Sequence, residues 1–269
     1  MTKNILGVYF GYDSVCMSIY KDNEPTIIPN QEGSLTTPTV ISFAKDRRII
    51  VGEEAKKQQF INVARVVSHL RDLKTGFEKE VDGITYTAER LWTIFFKKLK
   101  DDAEAYLHEV VSTILVVLPS NFNYREKFAN SISLAWFKEV FFDDEEKALL
   151  AHYHYVQKKS EHDKLVHYHD NIICIPDEER LMFVVSEGLQ IRVMNVQVVS
   201  TRAKILNRTE YIWYQDPEMY DMILKFVQTL DGADSMKQQD INQLCHAFAS
   251  VSGLYTIKLA KQFNVRELL

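Results

Sequence analysis

Glycine is scarce in this sequence. There are nine in 269 residues, no two of them adjacent, which is about half the usual share of roughly 7%. An enzyme that cradles phosphates in glycine-rich loops ordinarily carries its glycines in clusters, and no cluster is present. Cysteine is equally sparse. Cys16, Cys174 and Cys245 are odd in number and far apart, a pattern that fits neither a disulfide framework nor metal-ligand spacing and suits a reducing compartment. No apolar run is long enough to span a bilayer, and Met1-Thr2-Lys3-Asn4 leads into a strand without a secretory h-region. Nor is there an excess of basic charge. The net charge of −5 gives no bulk attraction to nucleic acid or to an anionic membrane. The run Lys97-Lys98-Leu99-Lys100 is answered at once by Asp101 and Asp102 and reads as a solvated helix face. Together these absences point to a cytoplasmic protein, with no membrane contact and no direct nucleic-acid contact.

What is present is a soluble composition with a real core, 46% hydrophobic and 26% charged. The length exceeds the usual single-domain size and predicts two lobes. Residues 5–20 organise the chain. Ile5, Val8 and Phe10, then Val15, Met17 and Ile19, supply two apolar runs separated by a turn at Gly11, which predicts a hairpin. Such a hairpin is either an ordinary N-terminal element or a device that brings backbone N–H groups to a phosphate. Residues 26–43 read as a strand, a polar turn and a second strand. In 97–107, Leu99, Ala103 and Leu107 recur at i, i+4 and i+8, the spacing of a helix. Residues 113–127 read as a buried strand ending at Pro119, then a turn and a helix.

The segment IIPNQEGSLTTPTVISF, followed by VGEEAKKQ at 51–58, closely resembles the ATPase domain of the seventy-kilodalton heat-shock chaperones, with their Asn-x-x-Gly-x-x-Thr-Thr-Pro-Ser segment and following Gly-x-x-Ala-Lys. SHLRDLKTG (68–76) is similar to the family's lysine-arginine segment, TILVVLPSNFNYREK (113–127) to its Val-Pro-Ala-x-Phe-Asn segment, and FFDDEEKALLAHY (141–153) to its Asn-Glu-Pro-x-x-Ala-x-x-Ala segment. The resemblance runs nearly unbroken over 5–155 and then weakens. Residues 181–194 resemble the first hairpin of the family's second lobe, and 240–250 with 257–263 its last strand and helix. The interval between them is much shorter than in the family. The resemblance implies an α/β, actin-like (ribonuclease H-like) two-lobed ATPase fold with a shortened second lobe. Lobe I would span 1–178, with an inserted subdomain at about 37–110, and lobe II would span 179–269. No substrate-binding β-sandwich is expected after Leu269.

Phosphoryl transfer needs a metal held by carboxylates, donors on the phosphates and a cation near the developing charge. The family's Gly-x-Asp-x-Gly-Thr-Thr is here Gly7-Val8-Tyr9-Phe10-Gly11-Tyr12-Asp13. Tyr9 stands for the metal-associated acid, and Tyr12 and Asp13 stand for the phosphate-contacting threonines. In the second hairpin Asp-x-Gly-Gly-Gly-Thr becomes Val185-Ser186-Glu187-Gly188-Leu189-Gln190. The catalytic lysine aligns with Leu70, beside a retained Arg71. The interlobe Glu-Pro aligns with Asp144-Glu145. The adenosine-packing Gly-Gly-Ser-x-Arg aligns with Phe248-Ala249-Ser250-Val251-Ser252. Asp13 and Glu187 would add carboxylates near the phosphates with no lysine to offset them. Like charges at 4 Å cost about 1 kcal/mol in water and about 4 at an effective dielectric of 20.

The resemblance therefore implies a vestigial cleft, with no catalytic residues, no metal and no tightly bound ATP. Its implied function is that of a pseudo-ATPase interaction module. HLRDLKTG and ALLAH (148–152) are most similar to the atypical, ribosome-associated member of the family (the Ssz type). That likeness implies a J-domain partner similar to zuotin and, through it, a ribosome-associated complex. The alternative is a chaperone-like sensor that binds ATP without turnover. Among other features, His152, His154, His162, His167 and His169 have no ligand spacing and read as a solvated stretch. Ser14, Ser131 and Ser200 lie in no nucleophile pattern. Tyr211-Ile-Trp-Tyr214 reads equally as a core strand or a partner anchor.

Overall fold

The computed structural model describes residues 5–152, 155, 178–187, 190–199, 202–212 and 221. The expected hairpin forms from β1 (Ile5–Phe10) and β2 (Ser14–Lys21), antiparallel with Gly7 opposite Ser18 and Tyr9 opposite Cys16. The turn between them closes with Gly11 N donating to Ser14 O at 3.1 Å. β3 (Glu24–Ile28) continues the meander on β2, and the short β4 (Thr36–Pro38) also pairs with β2.

The chain then leaves this sheet. β5 (Ile41–Phe43), β6 (Ile49–Val51) and β7 (Val66–Val67) make a three-stranded sheet around the short helix α1 (Glu53–Lys56), and β8 (Glu78–Val81) pairs with β9 (Ile84–Thr87). It returns through the 20-residue helix α2 (Ala88–Leu107). The periodicity at 97–107 is the second half of this helix. Its start is set by Thr87, whose hydroxyl accepts from Arg90 N at 3.3 Å, an N-cap that satisfies one orphan donor.

β10 (Thr113–Leu118) runs parallel to β1, and after α3 (Arg125–Leu134), β11 (Glu139–Asp144) runs parallel to β10. The resulting order, β11-β10-β1-β2-β3, is a mixed sheet whose parallel pairs are joined by helices, as parallel strands require. It is compatible with the actin-like ATPase fold.

Alternation along the strands turns Leu6, Val8 and Phe10 of β1 and Ile114, Val116 and Leu118 of β10 into the core. Trp92, Phe95 and Phe96 of α2 and Phe128 of α3 meet them there, with Phe10 centred 5.2 Å from Phe128 and 5.4 Å from Phe96. Each such buried side chain contributes about 1.5–3 kcal/mol, so this cluster fixes how α2 and α3 lie on the sheet.

After β11 the chain turns helical over 145–152. A separate antiparallel sheet follows, formed by β12 (Glu178–Glu187), β13 (Gln190–Val199) and β14 (Arg202–Ile212), with a register shift at Asn195/Val196. Arg192, Met194 and Val196 share one buried face of β13, and Met194 and Val196 pack with Leu149 and Leu150 of the 145–152 helix. No helix among the described residues is long and apolar enough to cross a membrane.

Candidate functional site

Parallel strands β1, β10 and β11 all point their carboxyl ends the same way, and this is the end at which open α/β sheets bind their ligands. Three groups of residues collect there. Tyr9 lies near the end of β1, Ser120 and Asn121 follow β10, and Glu145 and Glu146 follow β11. Arginines from the β12–β14 sheet reach all three groups.

Tyr9 donates its phenolic O–H to Glu145 Oε1 at 2.5 Å. Arg192 Nη2 donates to the same oxygen at 2.7 Å and lies 3.3 Å from the Tyr9 hydroxyl. Arg192 and Glu145 are each 1% exposed. Beside them Arg208 Nη1 donates to Glu146 Oε1 at 2.9 Å and to Ser120 Oγ at 3.1 Å, while Nη2 donates to Asn121 Oδ1 at 3.4 Å. Two consecutive glutamates are thus met by two arginines, one from β13 and one from β14. The pairing is tight but incomplete: Glu145 Oε2 and Glu146 Oε2 are buried with no hydrogen-bond partner among the described residues.

The turn after β1 forms a second group. Tyr12 is buried and stacks on His69, with ring centroids 4.3 Å apart and an interplanar angle of 20°. Arg71 lies over the Tyr12 ring at 5.6 Å, and His69 Nδ1 is 3.2 Å from Asp13 Oδ1. Thr39 holds the turn from the side, donating from its hydroxyl to Tyr12 O at 2.7 Å and from its backbone N to Asp13 O at 2.9 Å. A small polar cavity of about 80 Å³ lies against Asp13, Thr39, Lys56, Gln59 and His69.

The sequence-derived residues are distributed unevenly about these two groups. Tyr9 belongs to the first, and Tyr12, Asp13 and Arg71 belong to the second, with Gly11 in the turn between. Leu70 is fully buried in the core, where its carbonyl accepts from Trp92 Nε1 at 2.7 Å. Asp144 bonds Arg125 Nη2 at 2.6 Å and has Lys147 Nζ at 3.4 Å. It is Glu145, next along the chain, that meets Tyr9. Burial works against Asp144's ionisation, but the Arg125 guanidinium and then Lys147 outweigh it and hold the carboxyl below its ordinary value. Val185 pairs in register with Arg192, and Glu187 with Gln190. Gly188, Phe248, Ser250 and the histidine-rich stretch after His152 lie outside the described residues.

Sequence reasoning missed one residue of this site: Arg192 places a guanidinium beside Tyr9 and Glu145. Arg192 comes from a strand more than 180 residues away from Tyr9 in sequence and stands in no motif. Its signal was faint but physical: in Ile191-Arg-Val-Met194 a charge takes the same alternate positions as Met194 and Val196, and a charge on an apolar face needs a buried partner. Cys16, opposite Tyr9 in register, carries no reactive signature, because burial pushes its thiol up and keeps it protonated.

Residues 5–75, about a quarter of the chain, match the family model described as Hsp70 protein. The match takes in β1, β2, the turn bearing Tyr12 and Asp13, and the segment of Leu70 and Arg71.

Proposed function

We propose that this is a degenerate, non-catalytic Hsp70-like protein of two lobes, the second shortened, which acts as an interaction module rather than as an ATPase. The observation that carries this reading is the Tyr9–Glu145–Arg192 cluster at the carboxyl ends of the parallel strands. The residues there do not fit a magnesium–nucleotide group. Tyr9 presents a phenol already donated to Glu145, and Glu145 Oε1 is taken up by Arg192. A divalent cation 4 Å from a guanidinium would be repelled by about 8 kcal/mol at an effective dielectric of about 20, twice the figure for unit charges. On the neighbouring turn, Asp13 adds a carboxylate and Tyr12 stacks on His69, in place of two hydroxyls free to meet phosphate.

The partner follows from the resemblance rather than from the cluster. A J-domain protein similar to zuotin, and through it the ribosome, is the assembly in which such a module would act in the cytoplasm. The acidic net charge suits an indirect contact with ribosomal RNA. Titration calorimetry with Mg-ATP tests the nucleotide half: no saturable heat is expected, and micromolar affinity would overturn it. Phosphate release at micromolar enzyme should match the buffer blank. A pull-down from the source cell tests the other half. Recovery of neither a J-domain protein nor ribosomes would remove the proposed assembly while leaving the loss of ATPase chemistry standing.

A further inference from the structure

Four separate segments of the chain converge on the small cavity beside the first hairpin. Asp13 comes from the turn after β1, Thr39 follows β4, Lys56 and Gln59 belong to α1 and the turn after it, and His69 precedes Leu70. Gln59 is only 8% exposed, yet its side-chain amide has no hydrogen-bond partner among the described residues. Asn30, buried to a similar degree, shows the usual arrangement. Its amide donates to Thr36 O and Thr37 Oγ1, both at 3.2 Å, and accepts from Ser34 N at 2.8 Å. A buried amide left without a partner is costly. The cavity that Gln59 lines is where its partner belongs.

The walls of this cavity carry a charge of each sign. Lys56 is exposed and has no ion-pair partner among the described residues. Asp13 has one carboxylate oxygen 3.2 Å from His69 Nδ1, and its other oxygen accepts no hydrogen bond among the described residues. Lys56 and Asp13 form no ion pair with each other. The other charges close by face elsewhere. Lys57 pairs with Glu54, and Arg71, which lies over the Tyr12 ring, pairs with Asp72 at 3.4 Å. None of these four lines the cavity, nor does Glu53. A lone cation entering would meet Lys56, and a lone anion would meet Asp13, each a repulsive approach. A ligand bearing both signs avoids both and pairs with both walls.

Size narrows the choice. The volume of about 80 Å³ holds about five to eight water-sized groups, at about 10–15 Å³ each, which is the size of the smallest amino acids. We infer that the cavity binds a small zwitterion, an α-amino acid of the size of glycine, alanine or serine. Its ammonium lies at Asp13 and its carboxylate at Lys56, with the Gln59 amide donating to that carboxylate. Thr39 Oγ1 already donates to Tyr12 O, so it offers the ammonium a lone pair. The site requires nothing of the loss of ATPase chemistry and is tested apart from it.

The test is a titration of the isotope-labelled full chain followed through its amide resonances. Glycine, alanine and serine, taken to tens of millimolar, should shift the Gln59 side-chain amide along a saturable curve with a millimolar Kd. Acetate and methylammonium each carry one end of the zwitterion and should bind at least tenfold more weakly than glycine. Leucine, too large for the space, should do the same. Asp13→Asn and Lys56→Gln should each lower glycine affinity at least tenfold, and Gln59→Leu, which keeps the volume, should also weaken it. All three variants should keep the parent's amide pattern away from the cavity, which separates a lost ligand from a lost fold. Absence of a saturable shift in the parent chain would overturn the inference. So would a difference of less than tenfold for acetate, methylammonium, leucine or either charge-removing variant, or a Gln59→Leu chain that binds glycine as tightly as the parent.

Discussion

Arg192 of β13 donates to Glu145 Oε1 at 2.7 Å in a site where both residues are almost fully buried. The acid directly follows β11 of one sheet and the base comes from the middle strand of another, so this ion pair, with Arg208–Glu146 beside it, joins the two sheets. A buried pair of this kind is costly to break and cheap to replace. Removing one partner strands an uncompensated charge, whereas exchanging both for apolar groups of like volume is often neutral. Arg192→Ala should therefore lower stability by about 3–5 kcal/mol. An Arg192→Met, Glu145→Leu double variant should recover most of that loss. Urea unfolding of the three chains at neutral pH checks the order.

Tyr9 shares the same carboxylate oxygen. Tyr9→Phe keeps the ring and removes only the O–H that bonds Glu145 at 2.5 Å. A hydrogen bond to a charged group is worth about 1.5–3 kcal/mol, and a loss of that size is expected in the unfolding midpoint. Affinity for Mg-ATP in calorimetry should be no greater in Tyr9→Phe or Tyr9→Asp than in the parent chain, because Arg192 remains in place in both.

Asp144 gives a pH-dependent contribution of known sign. Its carboxyl titrates below its unfolded value: burial opposes this, but Arg125 and Lys147 prevail. The stabilisation is therefore present above the ordinary aspartate value of about 3.9 and is lost as pH falls through the lower folded one. Asp144→Asn should be less stable than the parent by about 1 kcal/mol or less at pH 7. The gap between their urea midpoints should close as the solution is acidified through the carboxylate range. A gap that widens in acid would reverse the assignment.

Gly7 is required by space rather than by backbone angle. A Cβ at this position would come within 2.8 Å of Ser18 Oγ on the paired strand. Overpacking of this kind costs about 1–3 kcal/mol, and Gly7→Ala should show it in thermal unfolding. Adding Ser18→Ala should restore part of the loss. Full stability in Gly7→Ala alone would mean that the serine simply turns away.

Much of this protein follows from local rules and was settled by the order of its residues. The alternation of Leu6, Val8 and Phe10 around the turn at Gly11 and the strand ending before Pro119 each rest on short-range periodicity, and each is seen in the described residues; the hairpin over 181–194 came from the family resemblance and is seen as well. That Tyr9 stands for an acid and Leu70 for a lysine is what the family resemblance implies, and the residues alone do not say it. The start of α2 was less legible. Its first half, Ala88–Phe96, is aromatic-rich, and its boundary rests on the Thr87 cap. What only the tertiary structure decided is which charges meet. Local periodicity can say that Arg192 lies on an apolar face, but not that a glutamate 47 residues away will be waiting there. That pairing arises from how whole elements are placed against one another. Electrostatic energy in a buried site depends on through-space distance and on the exclusion of water, and neither is written along the chain.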